Sequence, residues 1–329
     1  MISSFYSLFE KMNGLRVLVV GDIMADAYVR GRVDRISPEA PVPIIHARQH
    51  ELRPGGAANV ALNLRAMGAE VDMCALVGND ENGVKLLDLL RAEGIGVDGI
   101  VCSGDRPSTV KTRIIAGSQH LLRIDEEDDS PAGETEKQAL LLRAMDLAAK
   151  ADAILFEDYD KGCVFPDLIT KLTTFASGKG IPVTVDPKKR NFMDYRGVSL
   201  FKPNLKELRE GLKIEVDARK SSDVQSACDQ LKSALDAKGV LLTLSEYGMA
   251  LSAENFFQHI PAHPRDIADV SGAGDTVISV ATLCLAAGAD MSTTLFLANL
   301  AGGQVCEYSG VVPVRKDLLL SEAIEKSNG

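Results

Sequence analysis

Asp269-Val270-Ser271-Gly272-Ala273-Gly274-Asp275-Thr276 runs directly into Val277-Ile278-Ser279-Val280-Ala281-Thr282-Leu283-Cys284-Leu285, an apolar stretch that reads as a buried helix. Two glycines and a small residue therefore stand at a helix N-terminus, where unpaired backbone N–H groups and the positive end of the dipole collect. A phosphate can be held there without any side chain. Asp275, in the first turn, would aim a carboxylate at whatever lies beside that phosphate, the arrangement of a base next to a transferable phosphoryl group. A glycine-rich loop capped by Asp or Ser gives the same octapeptide. The rest of the chain has to decide between the two.

Upstream, short β-branched runs alternate with helical patterns. Arg16 to Val20 reads as a first central strand ending at Gly21-Asp22. Gly55-Gly56-Ala57-Ala58-Asn59 opens a helix to Met67, followed by strand Val71 to Val77, helix Glu81 to Glu93 and strand Val97 to Cys102. Later come helix Glu134 to Lys150, strand Ala153 to Phe156, helix Pro166 to Ala176, and strands Val183 to Asp186 and Ser199 to Lys202. Helices Leu205 to Leu212 and Ser221 to Lys238 and strand Val240 to Leu244 complete the series, and residues 273–327 read as nearly all helical. This alternation predicts an α/β fold with a mostly parallel central sheet covered by helices on both faces. Loops at the strands' C-terminal ends then converge on one crevice.

Two segments break the pattern. Residues 28–48 contain two strands separated by the proline-bearing Ile36 to Pro41, and residues 109–125 form a hairpin turning at Gly117-Ser118-Gln119. Together they predict a small β lid outside the main sheet of one domain spanning 1–329. Glu126-Glu127-Asp128-Asp129 reads as a solvated loop.

With 329 residues and 46% hydrophobic content the chain can bury a sizeable core. A net charge of −10 and pI of 5.1 argue against a nucleic-acid partner, which needs a basic face. No apolar run reaches the ~18 residues of a membrane span, and residues 1–14 lack the order of a signal peptide, so a cytoplasmic protein without membrane contact is expected. The six cysteines form no C-x-x-C pair and the five histidines show no ligand spacing.

Gly94-Ile95-Gly96-Val97-Asp98-Gly99 has the dinucleotide spacing but follows a helix and precedes a strand, the reverse of what that motif requires. No P-loop and no G-x-S-x-G elbow occurs. Gly55-Gly56 could let a substrate hydroxyl approach the backbone or could simply make a tight turn. Asp22 and Asp26 could accept sugar hydroxyls or cap a turn. Asp186-Pro187-Lys188-Lys189-Arg190 puts one carboxylate and three cations at a strand end, where an anionic substrate would need them. Asn204 and Glu207 lie one helical turn apart, suited either to a capping box or to a water-mediated Mg²⁺ contact.

In this order the pieces resemble the ribokinase or phosphofructokinase-B family of sugar kinases, over about Leu15 to Val314. Asp269 to Asp275 is similar to its C-terminal signature, Gly55 to Asn59 to its N-terminal glycine pair, and Asn204-Leu205-Lys206-Glu207 to its N-x-x-E motif. The resemblance implies a ribokinase-like three-layer sandwich, ATP and Mg²⁺ as cofactors, and a monovalent cation as a further candidate. It implies Asp275 as catalytic base, Gly272-Ala273-Gly274 as anion hole, and Asp26 with Gly55, Gly56 and Asn59 at the sugar. Asn204 and Glu207 would act on Mg²⁺ or phosphate through water. Thr243, Ser245, Gly248 and Asn299 fall where the family's nucleotide contacts lie.

Within the family, Gly21 to Asp26, Arg35 to Pro43, Arg53 to Ala61 and Gln119 to Asp125 look like heptose 7-phosphate kinases, with Lys188, Lys189, Arg113 and Arg123 as candidates for the substrate phosphate. Such kinases phosphorylate the anomeric hydroxyl on the way to ADP-heptose and are often fused to a nucleotidyltransferase. This sequence lacks that domain's histidine motif, so either a stand-alone or an excised kinase is expected. Its segment Glu307 to Val314 departs from the Gly-Thr-Ser-rich pattern of the family. A homodimer through the lid is the expected assembly. The alternatives are another carbohydrate kinase of the family, for ribose, fructose or fructose phosphate, or a non-catalytic sugar-binding regulator.

Overall fold

A computed structural model describes residues 2–117, 119–263 and 265–327. Its centre is an eight-stranded sheet built on β1 (Arg16–Gly21), with β4 (Glu70–Cys74) on one side. On the other side follow β9 (Ala153–Glu157), β10 (Val183–Asp186), β11 (Leu200–Phe201) and β12 (Gly239–Thr243), all parallel. Burial explains the sequence of these strands. Along β1, Leu18 and Val20 pack into one core while Val17 and Val19 pack into the other, as the two-residue period of a strand dictates. A strand covered on both faces has no polar side, so it appears as an unbroken apolar run.

Helices α4 (Glu134–Ala148), α5 (Pro166–Lys179), α6 (Leu205–Leu212) and α7 (Ser221–Leu235) cover the first face. The second carries α1 (Ile2–Met12), α2 (Ala57–Ala66), α3 (Glu81–Ala92), α8 (Ala273–Ala286), α9 (Met291–Val305) and α10 (Lys316–Lys326). This is the expected three-layer α/β sandwich. Three details differ. The strand expected over Val71 to Val77 breaks at Ala75, and its second half, β5 (Leu76–Gly78), leaves the sheet to pair with β6 (Val101–Ser103). The expected strand from Val97 is thereby reduced to β6. An antiparallel hairpin, β13 (Met249–Ala253) and β14 (Phe256–Ile260), extends the sheet edge beyond the elements expected from sequence, and α1 near the start of the chain is likewise an element not expected.

Directly after β1 the chain departs into the lid, whose order is β3-β2-β7-β8. Here β2 (Ile23–Ile36) and β3 (Pro43–Gly56) are longer than expected and antiparallel, with Ser37 to Val42 as their connection. β7 (Val110–Ala116) joins β2 in parallel, and β8 (Gln119–Glu126) closes the sheet, while Ser118 of the expected turn lies outside the described residues. Register sorts the two lid faces. Asp26, Tyr28, Arg53, Glu51, Lys111, Arg113, Arg123 and Asp125 pair across strands on one face. Thr112, Ile114, Leu122 and Ile124 share the other. The acidic run after β8 is not simply solvated: Glu127 binds Lys111 Nζ at 2.9 Å and Lys161 Nζ at 2.8 Å, tying the lid to the loop after β9.

Candidate active site

Gly272 caps α8 in the left-handed region (φ 78°), a conformation that favours glycine. No side chain caps this helix; Ala273 N donates to Val270 O at 3.3 Å, and the amides on either side of it are left for an anion. A Cβ at Gly272 would stand 2.9 Å from Asn59 Nδ2, and one at Gly274 would stand 3.3 Å from Lys202 Nζ. The N-terminus thus lies between an amide and an ammonium. Asp275, half-buried in the first turn, accepts from Asn59 Nδ2 at 2.6 Å and from Tyr159 Oη at 3.3 Å. Burial, and next to it the neighbouring Asp186, push its carboxyl up to about 6, against the Asn59 hydrogen bond that favours the charged form. That value suits a group that must take a proton near neutral pH.

Three strand and helix ends put carboxylates together. Glu157 closes β9, Asp186 closes β10, and with Asp275 their oxygens lie within 4.8 Å of one another. Glu157 is fully buried and neither of its oxygens has a partner. Burial, with Asp186 and Asp275 adding to it, holds its carboxyl well above the usual range. Asp186 is paired with Lys202 at 2.7 Å, both side chains inside the protein. Burial would lower the Lys202 ammonium, but Asp186 and Glu157 raise it, so it stays charged. A buried carboxylate without a partner is costly unless a cation completes it. The oxygen-only donor set is the kind that Mg²⁺ takes.

Asn204 and Glu207 form the full capping box of α6: Glu207 N donates to Asn204 Oδ1 at 2.9 Å and Asn204 N to Glu207 Oε2 at 2.8 Å. Glu207 Oε1 accepts from Lys188 Nζ at 2.9 Å, and that ammonium lies 5.2 Å from the Tyr159 ring centre. Lys188 therefore joins the carboxylate cluster rather than the lid, while Lys189 is exposed. Thr243, at the end of β12, bridges to Asn204. Ser245 is exposed beyond it in a short 3-10 turn, and Gly248 is packed so closely under β14 that a Cβ would meet Ile260 O at 2.1 Å. Asn299 is buried in α9, with its amide donating to Pro261 O at 2.9 Å.

Asp22, open in sequence to sugar hydroxyls or to turn capping, has the capping contacts. Its carboxylate accepts from the backbone N–H groups of Tyr159 (2.8 Å), Lys161 (3.1 Å) and Cys163 (3.0 Å), so it holds the loop after β9 instead. Asp26 sits where β2 passes Gly55: a Cβ on Gly55 would land 2.2 Å from Asp26 Oδ2, so no side chain fits there. Gly56, with φ 60°, caps α2. Arg113 Nη1 donates to Asp26 Oδ1 at 2.5 Å, whereas Arg123 turns to Asp125 at 2.9 Å. For a monovalent cation the loop at Asp269 offers no unpaired carboxylate. Its Oδ1 accepts from Ser271 N at 2.9 Å and its Oδ2 from Gly310 N at 3.0 Å.

Sequence reasoning did not single out Glu157, Tyr159, Lys202, Arg30 or Arg53. The first three lie at or just beyond the ends of apolar strands. Only the order of strands in the sheet brings them to Asp275.

The pattern of the pfkB family carbohydrate kinases matches residues 15–317. Similar relatives are the Bifunctional protein HldE of Citrifermentans bemidjiense, 38% identical over 96% of this chain, and that of Koribacter versatilis, 40% identical over 94%. The chain spans 65% and 63% of the length of those two relatives. Among solved structures, phosphofructokinase-2 from Escherichia coli in complex with potassium superimposes with a TM-score of 0.77 at 20% identity, covering 96% of this chain and 100% of that one. Arabidopsis thaliana ribokinase complexed with ribose and ATP gives 0.72 at 17% identity, covering 94% and 99%. These last two likenesses speak for the ribokinase-like fold. The chain belongs to the pfkB family of carbohydrate kinases and is an ATP-dependent carbohydrate kinase.

Proposed function

We propose that the chain transfers the γ-phosphoryl group of ATP to the anomeric hydroxyl of D-glycero-β-D-manno-heptose 7-phosphate, giving the 1,7-bisphosphate, an early step toward ADP-heptose and lipopolysaccharide. The observation that carries this reading is Asp275, a carboxylate with its pKa raised to about 6, held by Asn59 and Tyr159 at the uncapped N-terminus of α8. Likeness to the HldE proteins over nearly the whole chain supports the heptose as acceptor.

In this mechanism Asp275 takes the proton of the acceptor hydroxyl as that oxygen attacks the γ-phosphorus, the bond from phosphorus to the β–γ bridging oxygen breaks, and ADP leaves. The amides of Gly272 and Gly274 and the Lys202 ammonium would face the charge on the transferring group, with Ala273 N held by Val270 O. Glu157 and Asp186 would hold Mg²⁺, with Glu207 reaching it through water, and the ion would supply charge neutralisation for the phosphates. Most of the rate then comes from positioning and fixed electrostatics rather than covalent chemistry. The lid, anchored through Glu127 to Lys161, would exclude water, whose attack on ATP is the competing reaction.

The outer lid face supports a homodimer. Leu122 and Ile124 are 56% and 43% exposed there, and an exposed apolar sheet face is stabilised by covering it with a second copy. A steady-state panel of heptose 7-phosphate, ribose, fructose and fructose 6-phosphate tests the acceptor. Heptose 7-phosphate should give the highest kcat/KM, and a preference for any other acceptor contradicts the reading.

A further inference from the structure

On the lid face that carries Asp26, three guanidinium groups gather around one aromatic ring. The Cζ atoms of Arg30, Arg53 and Arg113 lie 5.4, 5.3 and 5.3 Å from the centre of the Tyr28 ring. Strand geometry explains the gathering: Asp26, Tyr28 and Arg30 alternate along β2, Arg53 stands opposite Asp26 on β3, and Arg113 stands opposite Tyr28 on β7. Only two carboxylates answer these three cations. Arg113 is bound to Asp26 and Arg53 to Glu51, while Arg30 has no carboxylate partner among the described residues. In a protein of net charge −10, a net positive cluster beside the acceptor aspartate calls for an anion.

We propose that Arg30, Arg53 and Arg113 form a clamp for a phosphate monoester on the acceptor sugar, at the end remote from the hydroxyl that Asp275 serves. The inference rests on the kinase reading above and deepens it. Guanidinium forks match phosphate oxygens two at a time, which a lysine cannot do. Distances along the lid agree with a sugar phosphate: Asp26, beside Gly55 and hence near Asn59 and Asp275, would take ring hydroxyls, and Tyr28 follows two residues, about 7 Å, further along β2. Arg53 is also close to the loop after α9, since a Cβ on Gly310 would stand 3.7 Å from its Nη1. The clamp therefore spans lid and body, and a bound phosphate would draw the two together. Tyr28 keeps its proton, because burial raises its hydroxyl above the usual range, and so it remains a donor.

Inorganic phosphate is the probe. It should inhibit the purified kinase competitively against heptose 7-phosphate and not against ATP. Arg30→Gln and Arg53→Gln should each weaken that inhibition, and raise KM for the phosphorylated acceptor, by about tenfold to a hundredfold, the worth of one charge-assisted hydrogen bond. Arg30→Gln strands no carboxylate, so it tests the clamp without a folding penalty. Direct phosphate binding by calorimetry, dependent on the arginines, supports the clamp even if heptose 7-phosphate is not turned over, in which case the acceptor assignment alone fails. Phosphate inhibition that is unchanged in both variants, or that competes with ATP, overturns the clamp.

Discussion

Asn59 Nδ2 donates to Asp275 Oδ2 at 2.6 Å, so a single hydrogen bond joins the first turns of two glycine-started helices 216 positions apart in the chain. Each helix brings a different part of the chemistry. α2 follows the glycine pair whose Gly55 lies against Asp26, and α8 starts between the two glycines of the anion hole. The bond also favours the ionised form of Asp275. In Asn59→Ala the acidic limb of kcat/KM against pH, set near 6 by Asp275, should move to higher pH. A limb that stays in place contradicts the role given to Asn59.

Glu157 makes a prediction in two directions. Its carboxyl is raised in the fold, so the protein loses stability as pH climbs from the ordinary carboxylate range through the raised value and ionisation is forced on a buried group. Glu157→Gln should therefore stabilise the magnesium-free protein at pH 8 by about 1–3 kcal/mol, with a smaller gain at pH 5. The same variant should need about tenfold more Mg²⁺ for half-maximal rate. Thermal melts at the two pH values and a Mg²⁺ titration of the rate check both parts.

Asp22 is assigned to structure. Asp22→Ala would strip three backbone N–H groups of their acceptor and should cost about 3 kcal/mol in urea unfolding, seen as a lower midpoint at unchanged slope. A midpoint equal to wild type, accompanied by a raised KM for sugar, would return Asp22 to the substrate.

The lid assembly is tested at its outer face. Leu122→Glu places a charge on the exposed apolar strip and should convert a dimer to a monomer in sedimentation equilibrium, without loss of secondary structure. A monomeric wild-type protein at micromolar concentration contradicts the dimer.

Much of the fold was legible because buried parallel strands announce themselves: Val17 to Val20 and Ala153 to Phe156 are continuous apolar runs between helical patterns, and Val183-Thr184-Val185 is a β-branched one. The β13–β14 hairpin was not. Met249 to Ala253 is rich in alanine, serine and leucine, weak strand formers, and its turn depends on Asn255 adopting φ 54°. At the site, Asp275 stood out through its glycines, which mark backbone rather than side-chain chemistry. Glu157 and Lys202 did not, since one charged residue ending an apolar strand looks like a strand edge until the order β9, β10, β11 sets the two beside Asp186. Of the lid arginines, Arg113 was named through the family resemblance, whereas Arg30 and Arg53 were hidden for a similar reason. Arg30, Arg53 and Arg113 are scattered over 84 positions and meet only through cross-strand register.

The central claim is that Asp275 is the base. With ATP, Mg²⁺ and heptose 7-phosphate, Asp275→Asn should lower kcat by about 10²- to 10⁴-fold, the span of a lost general base, while calorimetric binding of the sugar phosphate stays close to wild type. Turnover in that variant within tenfold of wild type would contradict the account.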